Sequence, residues 1–156
     1  MTAASDLVAE IAAELGADWL PTIYKEKIRT QRTRAYKLDI PKRENRADIQ
    51  YTLLGIELKV GRKRFSCPDL STARYLRIFA RLGVTAFAVP YDITKIPGAA
   101  DELETSWQRI LLMLDQMDEN PSRAGVIKAL RDEITTIGPG EAMPLFDRET
   151  RQRVKD

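Results

Sequence analysis

Residues 47–60, ADIQYTLLGIELKV, decide the fold that we expect of this chain. Apolar and polar side chains alternate on both sides of a central Leu-Leu-Gly, which is typical of two antiparallel strands joined by a tight turn. Because side chains alternate across a strand, Glu57 and Lys59 project from one face and their apolar neighbours from the other. The segment is therefore predicted to be an amphipathic β-hairpin.

The position of the turn predicts which residues face one another. With residues 54–55 as a two-residue turn, Thr52 lies opposite Glu57 and Asp48 lies opposite Gly61. The aspartate then emerges on the face that carries the glutamate and Lys59. A slip of one residue would move it to the other face, so this prediction depends on the register.

The rest of the chain predicts helices and strands on both sides of the hairpin. We predict a helix at 5–16, one or two strands within 19–40, a polar loop at 42–46, a helix from 66 or 67 to 83, a strand at 84–89, and helices at 101–119 and 122–135. This order predicts one α/β domain over residues 1–137, with a central mixed β-sheet flanked by helices. Its core would be residues 5–100 and its helical extension 101–137, followed by a polar tail at 138–156 with the composition of a partly disordered segment.

The composition excludes several classes of enzyme. The chain has no histidine and one cysteine, Cys67. Ser-His-Asp and Cys-His catalysis and zinc sites that need imidazole are therefore excluded. The absence of a disulfide framework, of a long apolar run and of a signal-peptide pattern at the amino terminus favours a cytoplasmic protein without membrane segments.

The net charge of +2 hides an asymmetry along the chain. Residues 21–64 contain 13 Lys or Arg and five Asp or Glu, whereas residues 101–156 contain eight and 12. A basic half of this kind favours an anionic partner such as DNA, although a solvated cationic surface has the same composition. The candidate contacts to nucleic acid are Lys42, Arg43, Arg46, Arg62, Lys63, Arg64, Arg74 and Arg77.

The shared face of the hairpin has the groups that phosphodiester hydrolysis requires. The carboxylates of Asp48 and Glu57 could hold Mg²⁺ or Mn²⁺ and leave room for water and a phosphate oxygen. The metal would lower the pKa of its bound water. Lys59 could orient that water and stabilise negative charge. The alternative is a hairpin whose solvent face carries ordinary surface charges.

The pattern Ala47-Asp48, followed by a short hairpin and Glu57-Leu58-Lys59, resembles the motif of the PD-(D/E)xK nuclease superfamily, especially the archaeal Holliday-junction resolvases. The resemblance implies a restriction-endonuclease-like fold: a helix, a three-stranded meander, a helix and a further strand. It also implies that the aspartate and the glutamate are metal ligands and that the lysine is catalytic. Many relatives add a glutamate from the first helix, for which Glu10 and Glu14 are the candidates. The alanine replaces the namesake proline.

Three functions remain open at this point. The resemblance favours a Mg²⁺-dependent endonuclease that hydrolyses DNA, including branched or structured DNA, by attack of metal-activated water. The second is an inactive module of the same fold that binds nucleic acid or, through the acidic carboxy-terminal helices, a protein. The third is a small protein whose basic strands bind RNA without cutting it. Cleavage of both strands of a duplex requires two sites, which favours a homodimer.

Overall fold

Short strands lie between amino-terminal and carboxy-terminal helices, with one further helix among them. The computed structural model describes residues 4–116 and 123–140. The helices are α1 Ala4–Leu15, α2 Leu20–Ile23, α3 Leu70–Leu82, α4 Ile96–Gln116 and α5 Arg123–Ile137, with 3-10 turns at Gly16–Asp18 and Ile93–Lys95 and a π-helical turn at Tyr24–Ile28. The strands are β1 Thr33–Lys37, β2 Ala47–Thr52, β3 Gly55–Val60, β4 Lys63–Cys67 and β5 Ala86–Pro90.

Two separate antiparallel sheets form in the described part of the chain. One pairs β1 with β5, and the other is the meander β2-β3-β4. The prediction of an α/β chain is confirmed, but the single mixed sheet is replaced by these two sheets. The loop between β1 and β2 carries the chain away from the first sheet. It is fixed there because Asn45 donates hydrogen bonds to the carbonyls of Pro41 (2.9 Å) and Ala80 (3.1 Å), the latter in α3.

Residues 20–28 are helical, which corrects the strand prediction for the first half of 19–40. Pro21 lies in the first turn of α2, where its missing N–H costs nothing. The buried side chains of this segment recur at helical spacing: Leu20, Ile23, Tyr24 and Ile28. Burial of one helical face therefore outweighs the β-propensity of these residues.

The β2–β3 turn lies one residue earlier than expected. Leu53 and Leu54 are the turn residues, and Thr52 pairs with Gly55. The Thr52 hydroxyl accepts a hydrogen bond from the Leu54 N–H and donates one to the Gly55 carbonyl, both at 3.1 Å. The threonine side chain thus stabilises a Leu-Leu turn, whereas the prediction had placed Gly55 within the turn.

This turn changes the register but keeps the face. Asp48 pairs with Lys59 instead of Gly61, and Gln50, not Thr52, pairs with Glu57. The predicted pairs are therefore wrong by two residues. Because side chains alternate with a period of two, an even shift leaves each side chain on its predicted face.

The basic residues after β3 belong to a third strand and not to a loop. In β4, Arg64 pairs with Lys59 and Ser66 pairs with Glu57. The following helix begins at Leu70, later than the predicted 66 or 67. The reason is its N-cap: the Asp69 carboxylate accepts a hydrogen bond of 2.7 Å from the backbone N–H of Thr72.

The end of α3 is confirmed at Gly83 and contacts the loop before β2. Gly83 has φ +81° and donates to the carbonyls of Phe79 and Ala80. A Cβ at this position would lie 2.5 Å from the backbone nitrogen of Arg43 and closer still to its carbonyl oxygen. The helix end and the loop that leads into β2 are therefore held in one arrangement.

The core surrounds α3, which packs on the meander and on α4. The apolar face of the meander contributes Leu58 and Val60, and α3 packs against β2, β3 and α4. Phe79 of α3 stacks on Phe87 of β5 with ring centroids 4.1 Å apart. The opposite face of the meander carries Asp48, Glu57 and Lys59.

The helix α4 begins earlier than predicted, and α5 ends later than predicted. α4 begins at Ile96, five residues before the predicted start, and α5 ends at Ile137. Gly138 accepts a hydrogen bond of 2.8 Å from the Tyr24 hydroxyl, so the start of the predicted tail is tied to the domain. The rest of that tail, 141–156, lies outside the described residues. Within the described ranges, no helix combines the length and the apolar character needed to cross a bilayer.

Candidate functional site

The candidate site is the open polar face of the meander. The observed pairing brings Asp48 of β2 directly opposite Lys59 of β3, and Glu57 lies two residues along β3 on the same face. Arg64 and Ser66 continue this face on β4. The three residues predicted to be catalytic are thus brought to one surface by two antiparallel ladders.

Each carboxylate of the site has a guanidinium partner. Arg46 Nε donates to Asp48 Oδ2 at 3.3 Å, and Arg64 Nη1 donates to Glu57 Oε1 at 3.3 Å. The Asp48 side chain is 51% exposed and the Glu57 side chain 19%. Lys59, which is half-buried, has no hydrogen-bond or ion-pair partner in the part of the chain that the structure describes. It is therefore free to engage a ligand.

Asp48 and Glu57 lie on the same face of the meander. Asp48 and Glu57 are diagonal neighbours across the β2–β3 ladder, a relation that places Cα atoms about 7–8 Å apart and leaves the side chains within reach of each other. Mg²⁺ is usually bound by one or two carboxylates together with several waters. No third acidic, histidine or cysteine side chain joins them in a cluster within residues 4–116 and 123–140.

The first-helix glutamates do not join this site. Glu10 and Glu14 are exposed and line a groove between α1 and α4, together with Leu112 and Met113. The polar groove of the meander is lined by Asp48 and Lys59, and neither Glu10, Glu14 nor Glu57 is among its lining residues. Glu57 shares the face of this groove through the β3 register. Of the four residues predicted as metal ligands, the structure therefore brings together Asp48 and Glu57. The helix α1 packs mainly against α5.

Six of the eight predicted nucleic-acid contacts belong to the meander or to the segments beside it. Arg46 and Arg64 bind its carboxylates, as described above. Lys63 Nζ lies 2.7 Å from Asp39 Oδ2. The remaining three, Lys42, Arg43 and Arg62, are exposed and have no ion-pair partner among the described residues. Arg46 and Arg64 are therefore the predicted contacts that the structure places at the polar face, whereas Lys63 pairs with Val60 and projects from the apolar face.

Arg74 and Arg77 instead bind the acidic side chains of α4. Arg74 Nη2 lies 2.5 Å from both Asp101 Oδ1 and Glu104 Oε1, and Arg77 Nη2 lies 3.3 Å from Glu104 Oε2. These carboxylates hold the pKa of Arg74 above its usual value. Both guanidinium groups are mostly buried in the α3–α4 interface. These two predicted nucleic-acid contacts therefore tie α3 to α4.

Two residues near the site were not among the sequence candidates. Gln50 lines the polar groove beside Asp48. Arg81 Nη2 donates to the Ala47 carbonyl at 3.3 Å and so ties α3 to the start of β2. Burial lowers the pKa of Arg81, and the nearby charge of Arg77 adds to this. The alternation of β2 could have identified the glutamine, whereas the arginine contact depends on tertiary packing.

No protein-family model, curated protein or solved structure matches this chain.

Proposed function

We propose that this chain is a Mg²⁺- or Mn²⁺-dependent endonuclease of the restriction-endonuclease-like kind that hydrolyses phosphodiester bonds in DNA. The observation that carries the proposal is the β2–β3 register, which puts Asp48, Glu57 and Lys59 on one open face. Two carboxylates with arginine partners, beside a lysine that has no partner among the described residues, are suited to a phosphodiester.

Each side chain has a distinct role in the proposal. Asp48 and Glu57 would hold the metal, which activates a water molecule and polarises the phosphate when bound. Lys59 Nζ, directly opposite Asp48, donates hydrogen bonds to a phosphate oxygen and stabilises the negative charge that develops there. Gln50 is a neutral hydrogen-bonding group beside them, suited to a water or a sugar oxygen.

The arginine partners of the carboxylates are compatible with metal binding. The Arg46 side chain is 91% exposed and that of Arg64 is 53% exposed. Exposed pairs of this kind contribute about 0–1 kcal/mol, so they exchange partners readily. When a cation takes their place at the carboxylates, both guanidinium groups become available to backbone phosphates.

The proposal is tested with a panel of linear, flapped, four-way and single-stranded DNAs, together with RNA, in Mg²⁺ or Mn²⁺. We expect the wild type to cut at least one DNA. The variant Lys59→Ala should bind that DNA with an affinity within a few-fold of the wild type. Its cleavage rate should be lower than that of the wild type by a factor of about 100 or more. Lys95→Ala is the matched control, because it removes an exposed lysine that lies outside the meander. It should cut as the wild type does.

Two results would contradict hydrolysis at this site. One is a wild type that nicks no substrate with either metal. The other is a Lys59→Ala protein that cuts as fast as the wild type, since the activity would then lie elsewhere or in a contaminant.

A second candidate function is binding of nucleic acid without hydrolysis. It is favoured by the carboxylate count, because Asp48 and Glu57 stand without a third acidic ligand in the described ranges. Equal binding with and without metal, a steep loss of affinity with salt, and no cleavage would support it. Docking of a protein through the acidic face of α4 is less favoured, since Asp101 and Glu104 bind α3 and Glu102 lies 2.6 Å from Lys27 Nζ.

A further inference from the structure

The tip of the β2–β3 hairpin presents two leucines to solvent. Leu53 is 106% exposed and Leu54 is 93% exposed, and Tyr51 just before them is 71% exposed. Turn positions are usually occupied by polar residues, glycine or proline. Neither leucine is covered by the residues that the structure describes, so their apolar surface is open to a partner.

The base of the same hairpin is positively charged. Residues 42–64 contain seven Lys or Arg and three Asp or Glu. Of the cations, Lys42, Arg43, Lys59 and Arg62 have no ion-pair partner among the residues that the structure describes. An apolar tip in front of a cationic base is complementary to a polymer that has apolar bases inside and phosphates outside.

We propose that Leu53 and Leu54 form an apolar wedge that enters DNA between two bases whose stacking is already weak, as at a branch, a bulge or a mismatch. This inference rests on the proposed function of the polar face and names its substrate class, DNA with a disrupted stack. Apolar side chains inserted between base steps unstack them at a cost that is lowest where stacking is incomplete. The wedge therefore discriminates against regular duplex.

The spacing along β3 links the wedge to the candidate site. Glu57 follows Leu54 by three residues and Lys59 follows it by five. At about 3.3 Å per residue these side chains lie about 10 and 17 Å from the tip. Since one base step advances about 3.4 Å along the duplex, a phosphate at the site is about three to five steps from the inserted side chains.

A lipid surface fits this hairpin less well. Apolar elements that bind membranes are buried about 5–10 Å into the interface, with their cations at the level of the headgroups. Here the first cation behind the tip on β3 is Lys59, at about 17 Å. The side chain that lies between them on the same face is the acidic Glu57. The charge is thus placed for phosphates alongside the hairpin and not for headgroups at its tip.

The test uses a four-way DNA with 2-aminopurine at the branch, in EDTA, so that the readout does not depend on cleavage. The wild type should raise the fluorescence as the base is unstacked. The double variant Leu53→Ser/Leu54→Ser should lose this rise and bind the branched DNA about tenfold more weakly, with its affinity for linear duplex unchanged. Leu53→Met/Leu54→Met should retain both properties, because it keeps the apolar volume.

Ile93→Ser is the matched control, since Ile93 is 68% exposed and lies outside the hairpin. It should bind and unstack as the wild type does. All variants should have the melting temperature of the wild type, because the replaced side chains are exposed.

The wedge is overturned if the serine double variant binds and unstacks branched DNA like the wild type. It is also overturned if the two leucines are needed only for flotation with phosphatidylserine vesicles or only for self-association in sedimentation. The wild type could cut nothing in Mn²⁺ and still raise the fluorescence, while the serine double variant does not raise it. That result would contradict hydrolysis and support the wedge.

Discussion

Replacement of Gly83 by alanine should destabilise the chain more than the same change at Gly61. Both glycines have positive φ, +81° and +62°, a region that costs an L-residue about 1–2 kcal/mol. Part of this cost is offset by about 0.4–1 kcal/mol, because alanine restricts the unfolded chain. The backbone conformation alone therefore predicts a loss of about 1 kcal/mol at each position.

The two positions differ in the space around the new methyl group. No atom lies within 4 Å of a Cβ at Gly61, whereas at Gly83 the Cβ would lie 2.5 Å from the Arg43 nitrogen and 2.8 Å from its carbonyl carbon. These are backbone atoms, so the 41–46 loop or the helix end must move. Overpacking of this kind costs about 1–3 kcal/mol, which brings the expected loss for Gly83→Ala to about 2–4 kcal/mol.

The measurement is urea unfolding of the wild type and of both variants, with the free energy of unfolding extrapolated to water. The Gly83→Ala protein should be less stable than Gly61→Ala by about 1–3 kcal/mol. Equal losses in the two variants would refute the close approach of the 41–46 loop to the end of α3. An unchanged slope with denaturant is required for the comparison, because a changed slope indicates an altered unfolded state.

Two other predictions concern buried polar groups. Asn45→Ala should lower the free energy of unfolding by about 2–3 kcal/mol, because the buried amide donates to three carbonyls, those of Pro41, Arg43 and Ala80; a loss below 0.5 kcal/mol in urea unfolding would contradict this. Burial raises the pKa of Tyr75, so the folded state holds the phenol in its neutral form. The stabilising effect of this neutral phenol is complete below about pH 10. It is lost as the pH rises from there towards the folded-state pKa, at about 1.4 kcal/mol per pH unit. Unfolding measured at intervals between pH 8 and 11 should show a shallower decline in Tyr75→Phe than in the wild type, and parallel curves would argue against a neutral buried phenol.

Several features follow from the sequence because they depend on local chemistry. The alternation of residues 47–60 predicts the hairpin, and the glycine after Leu82 predicts the end of α3. The shared face of Asp48, Glu57 and Lys59 is robust because it depends only on whether the register is shifted by an even or an odd number of residues. The turn was misplaced, yet the consequence for the site was correctly predicted.

Other local signals were present but misread. Pro21 and the spacing of the buried residues that follow it indicate a helix, whereas their β-propensity suggested a strand. The Asp69 carboxylate caps α3, so the helix begins after it and not at the predicted 66 or 67. In both cases two local rules competed, and the one that buried more apolar surface or satisfied more backbone N–H groups prevailed.

The sequence by itself determined an α/β chain and a hairpin with two carboxylates and a lysine on one face. Only the tertiary structure decided that β1 pairs with β5, that Arg74 and Arg77 bind the acidic residues of α4, and that Glu10 and Glu14 lie on another groove. The physical reason is that strand alternation and helix capping act over a few residues and are written in the local order of side chains. Which surfaces meet across 30 or more residues depends on how the whole chain buries its apolar area, and the charges then pair with whatever that packing brings near them.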